Sequence, residues 1–131
     1  MKVIRKKPAF TDERGVITDI LEGINVNAVT ILTFRKGAVR GNHYHKKTTQ
    51  YAYIIDGKLR LYTQVDGEKV RTKMIKKGDL VETPPNEKHA FVALEDSVML
   101  ACCYGLRAGK QYEEDTYRLK ELITPQRKSA R

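Results

Sequence analysis

The chain holds three histidines, and two of them stand two residues apart in the stretch "RGNHYHKKTTQ". On a β-strand, residues at i and i+2 point to the same face, so His43 and His45 would bring their rings together. His89 follows the loop "PPNEK" at the start of another apolar run. Three imidazoles from two strands, joined by the side-chain oxygen of Gln50, could surround one divalent transition metal such as Zn, Ni, Fe, Cu or Mn. Imidazole is also the side chain that shuttles protons near neutral pH. Metal ligands, acid–base groups and polar residues of a surface loop are therefore the open readings of this stretch.

The elements that must position these residues read as strands. Helical periodicity is nearly absent before the last twenty residues, and short β-branched or aromatic runs alternate with turn signals. "YAYII" meets the hairpin dipeptide Asp56-Gly57, and "KLRLYTQV" runs on to a second one at Asp66-Gly67. In that run Leu59, Leu61, Thr63 and Val65 fall on one face and Lys58, Arg60, Tyr62 and Gln64 on the other, the alternation of a strand buried on one side. Roughly seven to nine such strands predict an antiparallel sandwich or barrel, jelly rolls included. Residues 113–123, "EEDTYRLKELI", are expected as one short helix or an extended edge, and 124–131 as a frayed tail. The 131 residues suit one domain.

The net charge of +9 comes from 25 Lys+Arg against 16 Asp+Glu. The positive residues are scattered, and no nucleic-acid-binding motif accompanies them, so a solvated lysine-rich surface is expected rather than a nucleic-acid partner. Some of that charge could face an anionic ligand such as a diphosphate. No apolar run approaches the roughly 18–20 residues of a membrane span, and the basic N-terminus lacks the apolar stretch of a secretory signal. A cytoplasmic protein is expected. The adjacent Cys102 and Cys103 are expected as free thiols, because neighbouring cysteines rarely bridge without strain.

Two motifs resemble those of the cupins. The first reads His43-Tyr44-His45, four residues, Gln50, six residues, Gly57; the second reads Gly78, five residues, Pro84-Pro85-Asn86, two residues, His89, with Ala93 three residues beyond it. They span residues 37–93, and the resemblance implies an all-β, single-domain cupin jelly-roll barrel over 1–131. It also implies a metal held by His43, His45, Gln50 and His89, and no organic cofactor. Gln50 stands where the cupin pattern has Glu, Asn86 where it has Gly, and Ala93 where it has Asn. Asn86 can still adopt a left-handed turn, whereas Gln50 would leave a bound cation with its full charge.

A narrower resemblance is to the sugar-nucleotide-modifying cupins. "FTDERGVITDILEG" and "VRGNHYHK" are similar to segments of the deoxythymidine-diphosphate 4-keto-6-deoxyhexose 3,5-epimerases and the related 3,4-ketoisomerases, and "KQYEEDTYRLKEL" is similar to the end of the latter. This implies a nucleotide-diphosphate sugar as substrate, isomerised or epimerised beside its ketone with His43 as the base. Arg40, Lys46, a tyrosine hydroxyl or the metal would steady the enolate. Arg14 would contact the diphosphate or ribose, and in a homodimer exchanging N-terminal strands it would serve the partner's site. Tyr53, with Tyr51, would line the cavity. The acid tyrosine of the epimerases has no direct match: Ala101 falls near its place, and Tyr104, three residues on, is the substitute candidate. Glu82 and Glu87 are expected at solvated strand or loop ends. A metal-dependent cupin on another small substrate (a dioxygenase or phosphosugar isomerase) and a non-catalytic sugar- or nucleotide-binding cupin are the alternatives.

Overall fold

Strands with one apolar and one polar face must bury the apolar one, and two such sheets can do so against each other. In the computed structural model, which describes residues 1–106 and 111–125, two five-stranded antiparallel sheets do this in a jelly-roll barrel. The first sheet contains, in spatial order, β1 (Lys2–Arg5), β9 (Asp79–Thr83), β6 (Thr49–Asp56), β11 (Ser97–Tyr104) and β4 (Ala28–Phe34). The second contains β12 (Tyr117–Arg118), β5 (Val39–Tyr44), β10 (Lys88–Ala93), β7 (Lys58–Gln64) and β8 (Arg71–Lys76). A separate hairpin joins β2 (Phe10–Asp12) to β3 (Gly15–Ile17).

Between the sheets lies one apolar cluster that includes Phe34, Ile54, Leu61, Val81, Phe91 and Met99. The alternation read in β7 holds for Leu59, Leu61 and Thr63, all buried. Val65 lies past the strand's end and is exposed. Of the segment 113–123, only its first residues are helical, in the single turn α1 (Gln111–Glu114); the chain then turns extended and supplies β12. From residue 126 the tail expected to fray lies outside the described residues. No helix among the described residues is long and apolar enough to cross a membrane. Cys102 and Cys103 are both buried free thiols, and burial raises the pKa of Cys102.

The β6–β7 hairpin shows how tightly the barrel closes. Gly57 has φ 97°, and a Cβ there would lie 2.6 Å from Cα of Ser97. The Ser97 hydroxyl in turn accepts from the Lys58 amide at 3.1 Å and donates to the Glu95 carbonyl at 2.8 Å. Gly67, in the other hairpin, has φ 81° but open space around it. Gly57→Ala is therefore expected to lower stability more than Gly67→Ala. The latter carries only the left-handed backbone term of about 1–3 kcal/mol, while the former adds a backbone collision. Urea denaturation of the two variants checks the difference; equal losses would contradict the packing argument.

Candidate functional site

The three histidines come together at the inner face of the second sheet. His43 lies in β5 and His89 in β10, directly paired across the ladder, while His45 follows the end of β5. Ring centroids are 4.7 Å apart for His43 and His45, 4.6 Å for His43 and His89, and 5.4 Å for His45 and His89. All three are buried.

Each ring is held differently. His45 Nδ1 lies 2.7 Å from the Asp115 carbonyl oxygen, and a carbonyl can only accept, so Nδ1 carries the proton and Nε2 is the ring's acceptor. His89 Nδ1 lies 3.3 Å from the Glu87 carbonyl. His89 Nε2 is buried and has no hydrogen-bond partner among the described residues. Burial, helped by the neighbouring His45, pushes the His89 pKa down to about 4, which keeps this imidazole neutral at neutral pH.

Beside the cluster is a cavity of 230 Å³ lined by His43, His89, Gln50, Arg40, Arg118 and apolar residues that include Phe34 and Phe91. Arg40 reaches it by an irregularity in β5. The β5–β10 register pairs His89 with His43 but Ala90 with Gly41, so Asn42 is an extra residue, a bulge with φ 58°. Gly41 has φ 84°, a left-handed conformation that favours glycine, and a Cβ there would make a tight 3.1 Å approach to the His89 carbonyl oxygen. The bulge places Arg40 opposite Phe91, just as His43 stands opposite His89. Arg40 donates from Nε to the Thr33 carbonyl at 3.1 Å, and its guanidinium lies 5.5 Å from the Phe34 ring centroid.

The other expected residues fall elsewhere. Gln50, on the inner face of β6, lines the cavity with His43 and His89. Tyr53 and Tyr51 alternate with the buried Ala52 and Ile54 and so belong to the outer face of β6. Tyr104 is 52% exposed at the end of β11 and does not line the cavity. Lys46 stands outside the barrel, its ammonium 4.4 Å from the Tyr117 ring centroid, in a groove it shares with Tyr44, Lys88 and Lys120. Arg14 is exposed in the β2–β3 hairpin, paired with Asp12 at 2.6 Å. Glu82 is exposed enough to pair with Lys2 at 2.9 Å. Glu87, by contrast, is not solvated: it is buried, with its Oε2 3.4 Å from the Met1 amino group. Asn86 has φ 71°, the left-handed conformation its place in the turn requires.

Two residues of the site escape a reading of the sequence. Arg118 lines the cavity from β12 and is gripped by Glu113 through two hydrogen bonds of 2.9 and 2.8 Å. Asp115 is buried, and its carboxylate accepts from the amides of Lys46 and Lys47 and from the Thr48 hydroxyl at 2.7 Å. Burial alone would raise its pKa, but those hydrogen bonds more than offset this and the pKa is lowered. In "EEDTYR" local composition marks both residues only as charged, and it is the pairing of β12 with β5 that sets Arg118 opposite His43 at the cavity.

Histidines on adjacent strands, pointing into a jelly-roll barrel beside a cavity, form an enclosed site of the kind that takes small molecules. The Cupin domain family matches residues 30–103, and the chain belongs to that family. Among curated proteins, none matches the sequence significantly. Solved structures are similar in fold. A dTDP-4-dehydrorhamnose 3,5-epimerase from Sulfolobus tokodaii is 23% identical with a TM-score of 0.64, over 72% of this chain and 65% of that one; this chain thus spans less than two thirds of that enzyme. The sugar 3,4-ketoisomerase QdtA from Thermoanaerobacterium thermosaccharolyticum, in complex with TDP, is 20% identical with a TM-score of 0.73, over 91% and 88% of the two chains. The rmlC epimerase of Mycobacterium tuberculosis is 15% identical with a TM-score of 0.74, over 89% and 67%. At these identities the likeness is one of fold.

Proposed function

We propose that the protein isomerises or epimerises a nucleotide-linked 4-keto-6-deoxy sugar in the cytoplasm, with His43 as the base. The observation that carries this is the placement of His43 at the wall of the cavity, on the same face as Arg40 and close to Arg118. A C–H bond next to a ketone is acidic enough for an imidazole to break. The proton passes to His43, and the bonding pair moves onto the carbonyl oxygen as an enolate. Arg40 and Arg118 supply positive charge for that oxygen or for the diphosphate. Return of the proton to the opposite face of the same carbon epimerises it. Return to the former carbonyl carbon isomerises the sugar: the hydroxyl on the carbon that lost the proton becomes the new ketone, and its proton ends on the enolate oxygen, which becomes the new hydroxyl. The solved neighbour named for dTDP-4-dehydrorhamnose supports the substrate class, and the ketoisomerase in complex with TDP supports the nucleotide. The test is exchange of solvent deuterium into a 4-keto-6-deoxy sugar nucleotide, which this reading requires.

A second reading is favoured by the unpartnered, buried Nε2 of His89. Ligand atoms of His43, His45 and His89 lie within 4.8 Å of one another, and three neutral imidazoles suit a divalent transition metal. Gln50 lines the same cavity wall as His43 and His89. The residues fit such an ion, which when bound would polarise a carbonyl or activate water.

We also propose a homodimer through the outer face of the first sheet. Tyr53, Leu100 and Ile31 stand opposite one another across β6, β11 and β4, and on β4 Val29 and Ile31 are more than 60% exposed. A row of this kind is apolar surface that a second copy would cover. Arg14, on the nearby N-terminal hairpin in sequence, would then serve the partner's site. Ile31→Lys is expected to turn a species of twice the chain mass into a monomer in sedimentation; a wild type already monomeric would remove the proposal.

A further inference from the structure

We infer that Asp115 is a positioning residue that sets the tautomer of His45 and so decides which nitrogen the histidine cluster presents. The inference rests on the cluster being the working site. Two separate groups of Asp115 act on one short segment. Its carbonyl oxygen accepts from His45 Nδ1 at 2.7 Å. Its carboxylate gathers the next three residues, accepting from the Lys46 amide at 2.9 Å, the Lys47 amide at 3.0 Å and the Thr48 hydroxyl at 2.7 Å. The carboxylate thereby fixes the chain on both sides of a single bond, the one from His45 to Asp115, which could not hold its geometry if residues 46–48 moved independently.

The consequence is chemical. A free imidazole in water favours the proton on Nε2, whereas a carbonyl at Nδ1 imposes the other tautomer. With Nδ1 protonated, the lone pair sits on Nε2, whether it is used to bind a metal or to accept a proton. Thr48 also ties this turn to the segment that follows β11, since its hydroxyl accepts from the Leu106 amide at 3.2 Å.

The test reads the ring directly. Long-range nitrogen–proton NMR of the wild type should show His45 protonated on Nδ1. In Asp115→Ala the resonances should shift toward the Nε2-protonated form, and Asp115→Asn, which keeps an acceptor, should recover part of the wild-type signal. Thr48→Val removes one of the carboxylate's bonds without touching the ring and should give an intermediate shift, which keeps the test usable if Asp115→Ala does not fold. Zinc titration should show a 10–100-fold weaker site in Asp115→Ala. A wild-type His45 protonated on Nε2, or folded variants with unchanged nitrogen shifts, would overturn the inference. A wild type that shows no sugar chemistry, with the tautomer still moving as expected across the variants, would count against the proposed function and leave this assignment standing.

Discussion

Replacing His43 by alanine should slow deuterium exchange into a 4-keto-6-deoxy sugar nucleotide by about 10²–10⁴-fold, the usual worth of a positioned acid–base group. The expectation follows from what surrounds the ring. His43 is the histidine that combines β5 backbone support, contact with the cavity and a face shared with Arg40. Removing it leaves Arg40, Arg118 and the cavity wall in place, so substrate should still bind. The loss should therefore appear in kcat more than in KM. The measurement is proton NMR of the substrate in heavy water with each protein. A variant exchanging at the wild-type rate would remove His43 from the role of base.

Zinc or cobalt should bind the wild type at one ion per chain, and His89→Ala should weaken that affinity by more than about 100-fold. Outer supports of a metal ligand alone are worth about 10–100-fold, and His89 would be a direct ligand. Its imidazole needs no deprotonation at neutral pH, because burial has already moved its pKa to about 4. Gln50→Glu should tighten binding, since a carboxylate offsets charge that an amide leaves uncompensated. Elemental analysis and cobalt absorption check both variants, and a wild type holding no more metal than His89→Ala would end the metal reading. The two expectations also bear on each other. The lone pair of His43 that takes a proton is the one a metal would use, so saturating zinc should inhibit exchange if His43 is the base.

The sequence shows the parts of this molecule that depend on local chemistry. The Asp-Gly hairpins, the alternation in β7 and the convergence of His43, His45 and His89 follow from residue type and from the two-residue period of a strand. What escapes are features set by pairing between distant segments. β1, β2 and β12 are two to four residues long, too short for periodicity to register, and their strand character comes from the partner strand. Tyr53 and Tyr104 are tyrosines of strands in the barrel wall, but an aromatic residue carries no sign of which face it occupies until the strand's phase is known. Asp115 and Arg118 depend on a β12–β5 ladder joining residues more than 70 apart, where local composition says only that the segment is charged.

The extra residue in β5 makes the site a matter of counting. Arg40 and His43 are three apart, an odd separation that would send them to opposite sides of an unbroken strand. Asn42 corrects the parity. Its side chain also holds the far end of the chain, accepting from the Ile123 amide at 3.1 Å and donating to the Glu121 carbonyl at 3.2 Å. Substitution at this position would disturb that hold but keep the count, whereas deletion of a single residue would turn Arg40 away from the cavity while leaving both hydrophobic sheets to form. The barrel can therefore absorb many exchanges of side chain along this strand, yet its chemistry would not survive a change of one in its length.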